Sequence, residues 1–437
     1  MAAKPLEEFE KLNTTTESIY DLEGLDVLII LEDGTNLTCW EDVEHIYDVI
    51  YVSEDLSDCD NLDEKYAFMT SLRAIVATGV SDKLTSMKKT FHQCESLTDI
   101  SSLAQWDVSN VESMYMIFRD CKSLRDISPL KDWDVSRVCD MASLFGGCHS
   151  LCDISPLREW NTSNAGYMGG MFWKCKSLTD IGPLRDWDVS NAWDFSGMFE
   201  DCVGIRNISA LSDWDVSNAA DMNSMFSQCA DLEDLSPLRD WNTSNAGNMR
   251  SMFEGCASLT DISGLEDWNV SHVSDMFSLF EGCASLVDLT PLARWDVSGV
   301  ENMGYMFNEC LSLTDLDALR DWDVSAVSSL KCTFRGCSRL HDIKGLRDWD
   351  TSNVSNIEMM FWSCSELENL CGLELWDTSN IRIIRHAFGL CMALADCSAI
   401  DSWDLSIISL KNLAFSHSSN IERYPKWYDK KETYFEF

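Results

Sequence analysis

The 437-residue chain is poor in proline (7), histidine (7) and basic charge, and it holds no long apolar run. The histidines (45, 92, 149, 272, 341, 386, 417) are scattered, and those in the repeats described below share no column. Zinc and His-based catalytic sites need convergent ligands, so this scatter argues against both. No Gly-rich phosphate loop, Gly-x-Ser-x-Gly elbow, His-Glu-x-x-His or Cys-x-x-Cys pair is present, so no enzyme is expected. The longest apolar candidate, Val27 to Leu31, has strand length, far short of the roughly 18 to 20 residues of a membrane span. The first residues, Met1-Ala-Ala-Lys-Pro-Leu-Glu-Glu, show no apolar signal region, so a cytoplasmic location is expected. With 33 basic against 73 acidic side chains the net charge is −40. That field repels phosphate backbones and anionic lipid, so neither nucleic acid nor membrane insertion is expected.

What the chain has in abundance is a repeat. Tryptophan recurs at 106, 133, 160, 187, 214, 241, 268, 295, 322, 349, 376 and 403, twelve times at an unbroken step of 27. Phe91 to Phe388 and Cys94 to Cys391 keep the same step. A fixed period in this range signals a solenoid, in which each unit buries its apolar face only against its neighbours. Trp106, Trp133, Trp160, Trp187, Trp214 and Trp241, with Phe199 and Cys202, are read as its structural core.

One unit, Trp106 to Asp132, can be read physically. Trp106-Asp107-Val108 alternates in, out, in, which predicts a short strand pairing in parallel between coils. Ser109 follows, and all twelve units have Ser there. With Glu112 it makes a capping box, so a short helix is expected with Val111, Met114, Phe118 and Cys121 on its buried face. Gly147, Gly255, Gly282 and Gly336 sit where such a helix would end. The return leg, Leu124-x-x-Ile127-x-x-Leu130-x-x-Trp133, steps by three and predicts a tight 3₁₀-like turn.

Outside the strict repeat, which covers about residues 87–414, residues 1–66 are expected to form an N-terminal β-β-α capping module. Its strands are Val27–Leu31 and Asn36–Trp40, and its helix is Glu41–Tyr51, with Val43, Ile46, Tyr47 and Ile50 on one face. An open solenoid end needs such a polar cap. The solenoid spans 67–427. Phe415, Ser418, Ile421, Tyr424 and Trp427 keep the column register in a closing coil, and 428–437 form a C-terminal tail read as a cap over it.

Two residue types raise chemical questions. Nineteen cysteines would suggest disulfides in a small secreted chain, yet twelve form one apolar column, the setting of buried thiols. Reduced thiols fit a reducing compartment. The acids are columnar too: the residues before and after Trp, and the Asp99/Asp126/Asp153 column, hold 27 of the 73. Stacking would bring like carboxylates within about 5 Å. Hydrogen bonds to turn amides, basic partners or bound Ca²⁺ would answer the repulsion. Lys131, Arg158, Arg185, Arg239, Arg320 and Arg347 are candidate basic partners. Asn replaces Asp in both columns, which suits an amide acceptor better than a metal ligand, so no cofactor is expected and Ca²⁺ is the alternative. Asn161, Asn242 and Asn269 lie in glycosylation sequons, which matter only in an exported chain.

The unit Met-x-x-Met-Phe-x-x-Cys-x-Ser-Leu-x-Asp-Ile-Ser-x-Leu-x-x-Trp-Asp-Val-Ser-Asn-Val, best seen from Met222 to Val273, resembles the BspA-like leucine-rich-repeat surface proteins. The resemblance covers about residues 84–420. It implies a curved leucine-rich-repeat solenoid used in adhesion and protein–protein contact. The unit departs in carrying Trp where that subgroup usually has another aromatic. The reading is therefore an α/β repeat: a right-handed leucine-rich-repeat-like solenoid of twelve 27-residue coils with short parallel strands and short helices. It is expected to be a non-enzymatic interaction scaffold using an acidic face, with Asp107, Asp134, Asp188, Asp215, Asp296 and Asp323 presented to a basic protein partner. A cell-surface or virion adhesin and a calcium-stabilised structural protein are the alternatives.

Overall fold

A computed structural model describes residues 27–406, 408 and 411–429. The first 26 residues of the expected cap and residues 430–437 of the expected tail lie outside the described residues. The chain forms two compact units, residues 1–192 and 193–437, each built from the same repeating coil.

In the first unit a four-stranded sheet precedes the coils: β1 (Val27–Leu31), β2 (Asn36–Leu37), β3 (Val49–Asp55) and β4 (Ala74–Thr78). Its order is β2-β1-β3-β4, with β1 antiparallel to both β2 and β3, and β3 parallel to β4. The helix expected over Glu41–Tyr51 is absent. Two 3₁₀ turns, Trp40–Asp42 and Ile46–Asp48, lead directly into β3. The β-branched run Val49-Ile-Tyr-Val52 favours a strand, and β1 and β4 offer it partners on both sides. β4 continues the pairing into the repeat through a parallel bridge from Ala74 to Asp99, so the cap is a template for the first coil as well as a cover.

No α-helix occurs among the described residues, and the segment after Ser109 is the main correction. Met114, Met116, Phe118 and Asp120 donate their amides to Asp140, Ala142, Leu144 and Gly146 of the next coil, at 2.6–3.0 Å. The amides between them close local turns, as from Ile117 to Met114 and from Cys121 to Phe118. The second unit repeats this, with Met222, Ser224 and Phe226 donating to Asn248, Arg250 and Met252. Two residues per coil adopt left-handed φ, here Met116 (57°) and Asp120 (61°), and either would break a helix. A helix of three turns is marginal alone, whereas the neighbouring coil offers a carbonyl to every second amide. Gly147, Gly255, Gly282 and Gly336 do take left-handed φ (71° to 76°), but inside this ladder instead of at a helix end.

The parallel pairing also lies in a different column from the one expected. Bridges link Ser86, Ser113, Asp140 and Tyr167 in the first unit and Asp194, Asp221, Asn248 and Asp275 in the second. Trp-Asp-Val makes no bridge among the described residues, and the turn around it is closed locally. Trp133 N–H bonds the Leu130 carbonyl at 3.2 Å, and Ser136 N–H bonds Asp134 Oδ1 at 3.0 Å. The return leg does form 3₁₀ turns, such as Ser128–Leu130 with Pro129 in its first positions, and Ser236–Leu238.

Inside the coils, each apolar column buries against its own copies. Phe91, Phe118, Phe145 and Phe172 stack at centroid separations of 5.5–6.0 Å, and Phe199 heads a similar stack in the second unit. Trp133 Nε1 donates to the Leu103 carbonyl thirty residues earlier at 2.9 Å, and Trp160, Trp187 and Trp241 repeat the bond at 2.8–3.1 Å. Trp106 Nε1 has no partner, since the position thirty residues before it lies in β4. Trp214, like the other column tryptophans, is buried.

The column cysteines are buried free thiols. Cys121 Sγ donates to the Phe91 carbonyl at 3.1 Å, and Cys148 and Cys229 repeat the pattern. Cys202 is fully buried in the same column. Ser418 takes the column's last place, its Oγ 2.8 Å from the Phe388 carbonyl. Trp427, in the Leu column, caps the Ile400 carbonyl through its Nε1 at 3.0 Å.

Burial pushes the thiols of Cys256, Cys337 and Cys391 up to about 12. At pH 8 a thiol reagent should therefore label exposed Cys139 and Cys371 and leave the column unmodified until denaturant is added. Column cysteines that stay unlabelled in denaturant without reductant would show disulfides instead. Replacing Trp241 with Phe should destabilise by about 1 kcal/mol, because the Leu211 carbonyl loses one of its two donors and keeps the Trp214 amide. Trp241→Ala should cost about 3–5 kcal/mol by leaving a cavity, as read from the urea midpoint.

Candidate interaction face

Two acidic or amide columns line the turns of each coil, and several residues at the head of the ladder do the same job. Asp126 Oδ1 accepts the Ser128 amide at 2.8 Å, Asp134 Oδ1 the Ser136 amide at 3.0 Å, and Asp140 Oδ1 the Ala142 amide at 3.1 Å. A carboxylate or amide oxygen that accepts from two residues on closes an Asx turn. Asn serves equally, as Asn161 to Ser163 and Asn248 to Arg250 show. Turn amides thus supply the answer to carboxylate stacking. Of the basic column two residues before Trp, Arg320 makes an ion pair among the described residues, and it does so within its own turn, with Asp317 at 3.1 Å. No group of three or more His, Cys, Asp or Glu among the described residues converges as a metal ion would need.

The six aspartates of the expected acidic face are exposed, one per coil, and each is such a turn acceptor. In the first unit Asp107, Asp134 and Asp188 accept the amides of Ser109, Ser136 and Ser190 at 3.0 Å. In the second unit Asp215, Asp296 and Asp323 accept from Ser217, Ser298 and Ser325 at 3.0–3.2 Å. The Ser hydroxyl and the Ser amide two residues on hold Asp107, Asp134, Asp215 and Asp323 below their ordinary value of 3.8. At Asp134 the charge of Asp107 pushes the other way. The invariant Ser is thus a donor into the preceding Asp, where a helix N-cap was expected.

A second face differs in kind. Asn side chains tie the turns of several adjacent coils, as Asn191 Nδ2 to the Ser163 carbonyl at 2.7 Å, and the Trp-Asp/Asn-x-Ser turn recurs in all twelve units. The ladder segments, residues 86–93 and their eleven equivalents, differ from coil to coil. The position of Arg119 is His92, Gly146 and Trp173 in the other coils of the first unit, and Glu200, Ser227, Glu254, Glu281, Asn308, Arg335, Trp362 and Gly389 in the second. Over all twelve segments there are eight basic and eleven acidic side chains, against 33 and 73 in the chain, so the ladder face escapes most of the acidity. It also carries aromatic rings outside the core. In the first unit the Arg119 guanidinium lies 4.7 Å and the Lys174 ammonium 4.2 Å from the Trp173 ring. In the second, Arg250 lies 4.0 Å from the Phe277 ring, which packs 5.1 Å from Tyr305. Reading the columns for what they share overlooks these residues. The signal that finds them is the set of outward columns where the repeats disagree.

The repeating coil, with its 3₁₀ return legs and parallel bridges, defines a leucine-rich-repeat-like solenoid. The chain belongs to the family described as Mycoplasma protein of unknown function, DUF285, whose model matches residues 85–208, 182–287, 259–369 and 312–428. Among solved structures it is similar to a leucine-rich cell surface protein of Faecalibacterium prausnitzii, at 16% identity and TM-score 0.37, over 67% of this chain and 78% of that one. It is also similar to a leucine-rich repeat protein of Bacteroides ovatus, at 15% identity and TM-score 0.33, over 91% and 90%. No curated protein matches the sequence. No helix among the described residues is long and apolar enough to cross a membrane.

Because the turn needs only an acceptor oxygen, Asp215→Asn should leave the melting temperature nearly unchanged, while Asp215→Ala should cost about 1 kcal/mol. Equal destabilisation by both would show that charge, not acceptance, matters there. For the carboxylates held below 3.8, the turn contribution is complete above that pH and is lost as pH falls through the lower folded value. Thermal stability should therefore fall below about pH 4.

Proposed function

We propose that the chain is a non-enzymatic protein-interaction scaffold whose partner docks on the ladder face. The carrying observation is the contrast between faces: turns repeated coil after coil, and a ladder surface that changes at every coil and carries half-buried aromatic and basic side chains. A uniform surface presents one chemistry many times, whereas a varied one can discriminate. Aromatic and Arg side chains are the usual energetic anchors of protein interfaces. The reading includes a reducing location, which suits the thiols of Cys139 and Cys371 at the surface.

A narrower reading puts a basic partner on Asp107, Asp134, Asp188, Asp215, Asp296 and Asp323. What favours it is that the turn occupies Oδ1 and these side chains remain exposed. The two readings separate by experiment. A partner captured from source lysate should protect Tyr305 and the half-buried indoles of Trp173 and Trp362 from hydroxyl-radical oxidation if it docks on the ladder. Unchanged oxidation of every ladder aromatic in the complex would end the ladder reading. A partner held by the acidic column should instead bind the Asp188→Asn, Asp215→Asn, Asp296→Asn triple variant more weakly, and associate more slowly as salt rises.

A further inference from the structure

We propose that the first unit's ladder face binds an extended peptide segment carrying a carboxylate beside an aromatic or aliphatic side chain, seated at Trp173. The inference rests on the ladder reading above and names the partner's chemistry. The column that holds Arg119 has Gly146 in the next coil and Trp173 in the one after. With no side chain at Gly146, Arg119 reaches across the intervening coil. Its guanidinium sits 4.7 Å from the indole centroid and its Nη1 donates to Ser143 Oγ at 3.3 Å. Lys174 brings a second cation to the same ring at 4.2 Å.

Two coils are almost bare around this cluster. Ala142, Ser143, Gly146 and Gly147 on one, and Gly169 and Gly170 on the next, leave a floor of backbone and very short side chains, with the Asp120 carboxylate lying over Gly147. Its amides are already spent, Ser143 on the Gly169 carbonyl at 2.8 Å and Gly147 on the Trp173 carbonyl. An occupant therefore gains no new backbone bonds and must be gripped by side chains at the floor's edge. Tyr167, 43% exposed, offers an apolar surface on the same coil as Trp173.

Charge selects the occupant. Asp120 lies 3.6 Å from Arg119 and offsets one of the two cations. Lys174 makes no ion pair with a carboxylate among the described residues, so the cluster keeps one positive charge in a chain of net charge −40. A single carboxylate answers that charge over a few ångströms. A polyanion such as single-stranded nucleic acid would also find a ring and two cations, but each further phosphate meets the acidic field of the rest of the chain. A basic segment meets two cations at the anchor point.

The test is selection of a random ten-residue peptide library on the full chain, with a single-stranded oligothymidine as competitor. Acidic residues beside an aromatic or aliphatic residue should enrich. A synthetic peptide of that consensus should bind Lys174→Glu and Trp173→Phe at least tenfold more weakly, and Arg250→Ala, on the second unit's ladder, unchanged. The Lys174→Glu exchange is at the surface, and an unaltered circular dichroism melt confirms that it folds. No enrichment, a consensus without carboxylate, equal binding by Lys174→Glu, or displacement by the oligothymidine would each overturn the proposal. If a natural partner protects Tyr305 and Trp362 from oxidation but not Trp173, this inference fails and the ladder reading stands. Unchanged oxidation of all the ladder aromatics fails both.

Discussion

The buried side-chain donors of the Trp and Cys columns depend on one constraint: each must meet a backbone carbonyl of the preceding coil at a constant offset. Trp Nε1 reaches the Leu carbonyl, and Cys Sγ the Phe carbonyl, both thirty residues earlier. Asn Nδ2 reaches the Ser carbonyl twenty-eight earlier, as from Asn191 to Ser163. One inserted residue would shift all three at once and leave buried groups unpaired, at a cost of about 1–3 kcal/mol each. That is a sufficient physical reason for twelve units without an insertion. Hydrophobic burial alone is less exacting, because it has no direction.

The same offset accounts for what happens at the ends. Trp106 is the first of its column, and its indole N–H goes unpaired because β4 stands where an earlier Leu turn would be. At the other end Trp427, from the neighbouring column, supplies an indole donor to the Ile400 carbonyl. Ser418 likewise keeps the Cys bond with an oxygen in place of sulfur. Substitution at the last coil preserves the hydrogen bond even where it changes the side chain.

The periodic part of this architecture was legible in the residues. The step of 27, the buried Trp, Phe and Cys columns and the 3₁₀ return leg follow from spacing and apolarity. The backbone of the ladder was not. Val111, Met114, Phe118 and Cys121 fall at helical intervals, and Ser109 with Glu112 spells a capping box. Yet a chain of local turns with two left-handed residues places apolar side chains inward at nearly the same intervals. Periodicity near three cannot separate these two backbones, because it records which side chains are buried and not where the amides point. The amides are committed by the neighbouring coil, which is a tertiary fact. The cap failed for a similar reason: Ile46, Tyr47 and Ile50 look helical until β1 and β4 claim Val49–Asp55 as a central strand.

The acidic columns answer first to the turns they close. A residue that recurs in every coil is recurring because every coil needs it, and Asp134 is needed by the Ser136 amide. Its charge is secondary to its oxygen, as the interchange with Asn161, Asn242 and Asn269 shows. Specific recognition by a solenoid has to come from positions released from that obligation. On the ladder face the backbone bonds between coils leave the rings of Trp173 and Phe277 outside the ladder itself, beside the Arg119 and Arg250 guanidinium groups. The backbone ladder thus carries the fold, and leaves the side chains above it available for recognition.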